Sequence, residues 1–408
     1  MQWFSLAHRN VVRNGRRSML LGGTIAVGAA ALLLFAAYIA ASLDGLREST
    51  IRGGLGHAQV GAVPPQDGYA EQQLQFALDA SQTARIEAVL ATTEGVRRSA
   101  PRLQFSGLVS NGPRTLNFQG TGVDPVRERQ AFGAFQVLAA GASLQAGDAG
   151  RYQVMIGKEM ARRLGVSPGQ SVTLMTTTVQ GSINAMDLEV AGVLATGVPE
   201  LDLYTLQMPI GAAQELLRTQ KISSIAVLYQ ETAGADALSA GLAQSLGPGI
   251  VLRRWQDLAP LYPQVRALFR NQFMVFGSII GVIVFLGVAA MTLTTIYERS
   301  KEIGTLRAIG IPQAMVRRLF MFEGLLQGAF GAFAGCALAW LATLVLNSAG
   351  IELAPPPGRN VSVPLYLLWL PQPSLAIIAV LPLLAMAAAW MTSRRIGAME
   401  VKATLSSN

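Results

Sequence analysis

Residues Tyr297–Phe320 read YERSKEIGTLRAIGIPQAMVRRLF. The stretch is polar and crowded with charge, and a long apolar run flanks it on each side. Arg299, Lys301, Arg307, Arg317 and Arg318 lie within it. Lys and Arg collect in the short cytoplasmic loops of membrane proteins, so it reads as a cytoplasmic connector between two spans. Gly304 to Ile309 can form about two turns of helix. Ile303, Leu306 and Ile309–Gly310 then make a small apolar face, with Arg307 on another. Gly310 is placed to end that helix, and Pro312 to begin the next at its first position. Glu298 and Glu302 share a helix face, and Glu298 can pair with Lys301 at i,i+3; for most of these charges a solvated face is a sufficient account. A short rigid helix between two sharp turns can pass a push to two spans at once.

Working outward, the whole chain supports a membrane class. It has 408 residues, 51% hydrophobic and 14% charged, with mean hydropathy +0.38; soluble domains average about 25% charged. Met19–Leu43 carries no charge and would extend roughly 37 Å as helix, enough to cross a ~30 Å hydrocarbon core. It follows Arg16-Arg17, but a signal h-region is about 7–15 residues and this run is longer, so it reads as a retained span. Further spans are expected at 272–296, 320–347 and 374–392. Before the first, residues 1–18 place Trp3, Phe4, Ala7 and Val11 at helical spacing among Arg9, Arg13, Arg16 and Arg17. That pattern fits an interfacial amphipathic helix against membrane lipids as well as a plain basic lead. Arg394, Arg395 and Lys402 follow the last span in the tail 393–408, whereas the loop 348–373, with its APPPG turn, holds only Arg359. All three basic clusters therefore predict both termini inside and residues 44–271 outside. The net charge of +8 is explained by those loops without nucleic acid.

The outer segment, 44–271, has turns and no run long enough to span. Helices are expected at 81–90, 158–164, 211–219 and 235–245. Strands are expected across 96–123 around an Asn111-Gly112 turn, and at 152–156, 171–178, 188–194, 222–229 and 250–253. The last strand–helix–strand suggests a βαβ element, and the segment reads as α+β.

Site chemistry is sparse. One cysteine, Cys336, and two histidines, His8 and His57, exclude a disulfide framework and give no zinc pattern. No GxSxG or HExxH occurs, and Asp187, Glu189, Glu200 and Asp202 read as surface and turn residues. No G-x-x-x-x-G-K-[ST] loop occurs either; Gly157-Lys158 is followed by Glu159 and lacks the earlier glycine, so nothing here cradles a nucleotide phosphate. Glu323 lies a turn into the third apolar run, four before Gln327. It reads as a carboxylate near the interface, paired with an arginine such as Arg318, or as part of a transmission path or dimer seam with Gln327, Gly328 and Gly331. The pairs Gly277/Gly281, Gly324/Gly328 and Gly331/Gly335 allow close helix packing, within one protomer or between two.

In order and spacing, several segments resemble the FtsX-type ABC transporter permeases, the group that includes MacB and the LolC/LolE pair. They are LAHRNVVRNGRRSMLLGGTIAVG, VMIGKEMARRLGVSPGQSVTL, GVLATGVPELDLYTLQMPIGAAQELL, ERSKEIGTLRAIGIPQAMVRRLFMFEGLL and SRRIGAMEVKATL. The tail departs from the usual pattern, with Val401 where a proline is customary. The resemblance implies a bacterial inner-membrane protein with four transmembrane helices, and a permease domain over 272–400. Its large α+β periplasmic domain would have a ferredoxin-like porter part and an inserted β-rich part. It implies no enzyme activity or cofactor in this chain, ATP and Mg on a separate ATPase subunit, and a second permease copy as homodimer or heterodimer partner. A periplasmic adaptor or lipoprotein is a further partner in this group. The connector becomes an ATPase-coupling helix, with Glu302, Ile303, Gly304, Leu306, Arg307 and Gly310 as the part that receives force. Export or extraction of a lipophilic substrate, lipoprotein or peptide by mechanotransmission is the first functional expectation. Signalling to a cell-wall hydrolase, as in FtsX, is the alternative, and a sensor or assembly scaffold is a third. The large outer segment suits the first.

Overall fold

A computed structural model of the chain describes residues 9, 13, 15–63, 77–147, 152–350, 352–353, 363–364 and 366–394. Most of the N-terminal amphipathic segment, the APPPG turn and the tail beyond Arg394 lie outside the described residues. The chain forms two compact units: Met1–Asp44, Val265–Leu353 and Pro364–Asn408 in one, Gly45–Gln264 and Ala354–Val363 in the other.

Helix α1 (Gly15–Thr50) comes first, followed by β1 (Ala58–Ala62), α2 (Ala80–Thr92), β2 (Val96–Ser110), β3 (Thr115–Val123), α3 (Pro125–Phe132), β4 (Val137–Gly141), β5 (Gln153–Gly157), α4 (Lys158–Leu164), β6 (Ser171–Thr177), β7 (Ile183–Ala195), β8 (Thr205–Pro209), α5 (Ile210–Leu217), β9 (Ser224–Tyr229), α6 (Ala235–Ser245) and β10 (Ile250–Arg254). The strands run β10-β1-β9-β2 at one end of the sheet. β1 is antiparallel to both β10 and β9, and β9 is antiparallel to β2. With α2 joining β1 to β2 and α6 joining β9 to β10, two βαβ crossovers interleave, the ferredoxin-like split arrangement. The βαβ element expected at the end of the segment is therefore split, with β1 between its strands. Its core gathers Val60, Ile86, Leu90, Val227 and Leu242. Ile86 and Leu90 meet it from α2 because residues four apart share a helix face. Asp79 starts α2 with a capping box: its carboxylate accepts from Gln82 N–H at 2.8 Å, and Gln82 Oε1 accepts from Asp79 N–H at 3.1 Å.

Everything from β3 to β8 is inserted between the second and third ferredoxin-like strands. β2 makes this possible by being 15 residues long. Val96–Arg102 pairs with β9, Arg102–Ser110 pairs with β3, and Leu108–Ser110 also meets β6. The insert has its own core, including Phe118, Ile156, Met160, Leu188 and Leu206. At the changeover, Arg102 is buried and its guanidinium holds the buried Glu128 of α3, Nη2 to Oε1 at 2.6 Å and Nε to Oε2 at 3.3 Å. Arg102 also donates to the Gly54 carbonyl and lies 4.6 Å over the Phe132 ring. Breaking a buried pair of this kind by removing one partner typically costs about 3–5 kcal/mol.

After a helical turn at Trp255–Leu258 come α7 (Leu261–Glu298), α8 (Ser300–Ala308), α9 (Gln313–Ser348) and α10 (Pro371–Ser393). α1, α7, α9 and α10 are long and apolar enough to cross a membrane, and each runs past the ends of the span expected from sequence. Residues 261–271, assigned by sequence to the outer segment, are part of α7. A Cβ on Gly324 or Gly328 would sit 2.8 Å from Ala389 Cβ or 2.7 Å from Pro382 Cα of α10. On Gly331 or Gly335 it would sit 2.6 Å from Ile25 Cβ or 2.5 Å from Ala29 Cβ of α1. The glycine stripe of α9 thus seats two helices of its own protomer. Asn347 closes the end of α9 by exchanging two hydrogen bonds with the Leu367 backbone, each 2.9 Å.

Candidate coupling site

The connector is built around a break and a cap. α7 stops at Glu298, and Arg299 (φ −96°, ψ 16°) stands outside both helices. α8 then runs only to Ala308. Ile311 N–H donates to Leu306 O at 3.1 Å and Gly310 N–H to Arg307 O at 3.0 Å, with Gly310 at φ +97°. This is a Schellman end, and a left-handed residue is required at that position, which is why glycine stands there. Pro312 (φ −61°, ψ 143°) caps α9 from outside instead of occupying its first helical position as expected.

Packing divides the expected coupling residues. Ile303 is buried against Ile296, Val316 and Phe320, with Ile311 beside them, and Gly304 is buried as well. Neither faces outward, which corrects the expectation that Ile303 and Ile309 share a face. Ile303 rivets α8 to α7 and α9, whereas Ile309 lies past the last helical residue, off the 303/306 stripe, and is 74% exposed. Glu302 and Gly310 are exposed, and Leu306 and Arg307 half-buried.

Electrostatics fixes the same corner. Arg299 donates through Nε to Glu302 Oε2 at 2.8 Å and through Nη1 to Glu323 Oε1 at 3.4 Å. Arg13 Nη2 approaches Glu302 Oε1 at 3.8 Å, but both groups are largely exposed and the pair is weak. Arg318, the expected partner of Glu323, is exposed; five positions apart on a helix, the two point about 140° from each other. Arg299 is the residue the sequence reading missed. Its signal was present in the i,i+3 spacing to Glu302 and in the need of a buried carboxylate for a cation. Gln327 is half-buried, and the space beside Gly328 and Gly331 is filled by α10 and α1. Those two glycines therefore serve packing within one protomer, the alternative to a dimer seam.

Two family models match the chain: the MacB-like periplasmic core domain over residues 18–245, and the FtsX-like permease C-terminal over residues 274–401. With the first covering more than half of its length, the chain belongs to the FtsX-like, MacB-type family of ABC transporter permeases. Among named relatives, it is 26% identical over 354 residues to the lipoprotein-releasing system transmembrane protein LolC of Neisseria meningitidis, covering 82% of this chain and 79% of that one. To LolC of Xylella fastidiosa it is 25% identical over 285 residues, covering 66% and 68%. To LolE of Haemophilus influenzae it is 22% identical over 281 residues, covering 65% and 66%. Solved structures similar to it include the extracellular domain of the noncanonic ABC-type transporter YknZ from Gram-positive bacteria (15% identity, TM-score 0.36, covering 48% of this chain and 98% of that one). The periplasmic region of MacB from Actinobacillus actinomycetemcomitans is another (14% identity, TM-score 0.35, covering 52% and 94%). The two family models, the named transmembrane relatives and the four apolar helices mark an inner-membrane protein with a periplasmic domain.

Proposed function

We propose that this chain is the permease subunit that converts ATP hydrolysis by a separate ATPase into movement of its periplasmic domain, and so extracts or exports a lipophilic substrate. Lipoprotein is the substrate class favoured here, because the named relatives are lipoprotein-releasing proteins. Both termini and α8 lie on the cytoplasmic side, where Lys and Arg concentrate, and ATP and Mg bind the partner. A second permease copy completes the assembly, and α7, whose apolar face is largely uncovered, is available to it or to lipid.

The observation that carries this reading is the construction of α8: a nine-residue helix anchored inward by Ile303 and Arg299 while Glu302, Leu306, Arg307 and Ile309 remain accessible. A helix locked to two spans moves them when it is pushed. The test is reconstitution of the full chain with its ATPase and partner permease in vesicles holding a triacylated lipoprotein. ATP-dependent release of that lipoprotein to a soluble acceptor is expected. ATP hydrolysis without release of lipoprotein, lipid or peptide would favour the hydrolase-signalling reading instead.

A further inference from the structure

A cleft of about 690 Å³ opens on the sheet-rich unit, and strand register explains its chemistry. Side chains alternate between the two faces of a strand, and residues paired across strands share a face. One face of the sheet carries both cores: Val60, Ile225 and Val227 meet α2 and α6 there, and Leu103, Phe118 and Leu206 belong to the core of the insert. The opposite face therefore receives Gln59 of β1 and Ser224 of β9, and Arg253 of β10 is the partner of Gln59. Across β2 it receives Gln104, its partner Thr121 of β3, and then Gln207 of β8. Gln119 and Thr205 form the next such pair. These residues floor the cleft.

Such a floor is unusual. Exposed positions are where Lys, Glu and Asp normally collect, yet Arg253 is the one charged residue in the described lining. Its guanidinium makes no ion pair with a described residue, and the side chains of Gln104, Gln119 and Thr121 make no hydrogen bond to one. Ser224 is 4% exposed, and its hydroxyl has no partner among the described residues, although buried polar groups are normally paired. Leu201 and Tyr204, 57% and 45% exposed, add an apolar wall.

A ligand for this cleft has to satisfy both kinds of surface. Amides and hydroxyls donate and accept, and so do the hydroxyls of a sugar. A pyranose also has an apolar C–H face, which suits Leu201 and the Tyr204 ring. An acyl chain would leave the amides and the Ser224 hydroxyl without partners, a costly burial. A peptide strand finds no open edge on β2, because Gln104 N–H donates to Ser223 Oγ at 2.8 Å and the Ser106 carbonyl accepts from Thr176 Oγ1 at 2.6 Å. A polyanion would find one cation, and a cation no carboxylate. One arginine matches one carboxylate. The volume falls within the ~300–1,000 Å³ of small-ligand sites. We infer that the cleft binds a short acidic oligosaccharide, its hydroxyls on the glutamine and threonine floor, one ring against Tyr204 and a carboxylate on Arg253. The site stands on the sheet-rich unit alone and does not rest on the transport proposed above.

Two disaccharides that differ by one carboxylate-bearing group test this: N-acetylglucosaminyl-N-acetylmuramic acid and the neutral N,N′-diacetylchitobiose. The full chain in lipid nanodiscs is titrated with each by microscale thermophoresis. Saturable binding of the acidic disaccharide is expected, about tenfold or more tighter than that of the neutral one. Arg253→Gln should remove that difference, and the double variant Gln104→Leu/Gln119→Leu should weaken both about tenfold. All three positions are exposed, so the variants keep the fold. Absence of saturable binding of the acidic disaccharide overturns the proposal. So do equal affinities for the two sugars, or binding that the double variant leaves within about twofold. Displacement of the sugar by decanol at equal concentration overturns it in favour of an acyl-chain site. No ATPase enters the measurement, so failure of the cleft and failure of the coupling helix are distinguishable.

Discussion

His57 is 1% exposed and held in one protonation state by its neighbours. Its Nδ1 accepts from Tyr229 N–H at 3.1 Å, so Nε2 carries the proton and donates to Thr232 Oγ1 at 3.0 Å. Thr232 in turn donates to Glu48 Oε1 at 2.6 Å. A second proton on Nδ1 would point at an N–H. Burial pulls the pKa from 6.5 down to about 4; Glu48 opposes this, and Arg52 and Arg47 add to it. The unfolded chain therefore takes up this proton first as pH falls. The stabilisation is complete above about pH 6.5 and is lost progressively towards pH 4, amounting to roughly 3 kcal/mol. Thermal unfolding of the full chain should fall in midpoint from pH 7 to 4.5, and His57→Gln should flatten that part of the slope; an unchanged slope would contradict the assignment. None of this was legible in sequence, where His57 is a lone histidine. Its partners Tyr229 and Thr232 reach it only because β9 pairs with β1. Arg299 was closer to legible, because its partner Glu302 is three residues away.

At the scale of elements, what could be read depended on local signal. β2, β3, α4, β6 and α6 carry strong periodicity or turn residues, and they fall where expected. β1 (AQVGA), β4 (VLAAG) and β8 (TLQMP) escaped, as did the two-residue strands Glu352–Leu353 and Val363–Pro364; β1 and β4 are rich in Ala and Gly, which strands disfavour, and β8 ends in Pro. α3, PVRERQAF, lacks an apolar stripe, yet Asp124 accepts from Val126 and Arg127 N–H and Pro125 follows it, a start signal that went unused. The Gly-x-x-x-Gly pairs were visible, but small residues announce a close approach without naming the helix that makes it. The structure names α10 and α1. Gly331→Leu should therefore overpack the α9–α1 contact and destabilise the bundle by about 1–3 kcal/mol. Gly277→Leu should be nearly neutral, since a Cβ there meets only Leu32 Cδ2 at 3.9 Å. Detergent unfolding of the two variants side by side checks this, and equal stability of Gly331→Leu and the unsubstituted chain would refute it.

At the scale of the whole molecule, the alternation of apolar runs, basic clusters and a mixed α+β segment made the class readable. Four spans and an α+β outer segment follow from those patterns; the ferredoxin-like sheet with a β-rich insert is expected only from the resemblance to the permease family. The coupling residues were less readable, because helical spacing describes α8 as if it stood alone. In the folded chain α7 and α9 claim one of its sides, so Ile303 and Gly304 are buried against them, and Glu302, Leu306, Arg307 and Ile309 are left at least partly accessible. The most direct measurement is ATP turnover by the partner ATPase reconstituted with the full chain. Gly304→Pro, which breaks α8, and Arg307→Glu and Ile309→Glu, which alter its accessible side, should abolish the stimulated part of that turnover while the permease remains folded. Turnover at the unsubstituted rate in all three would contradict the account.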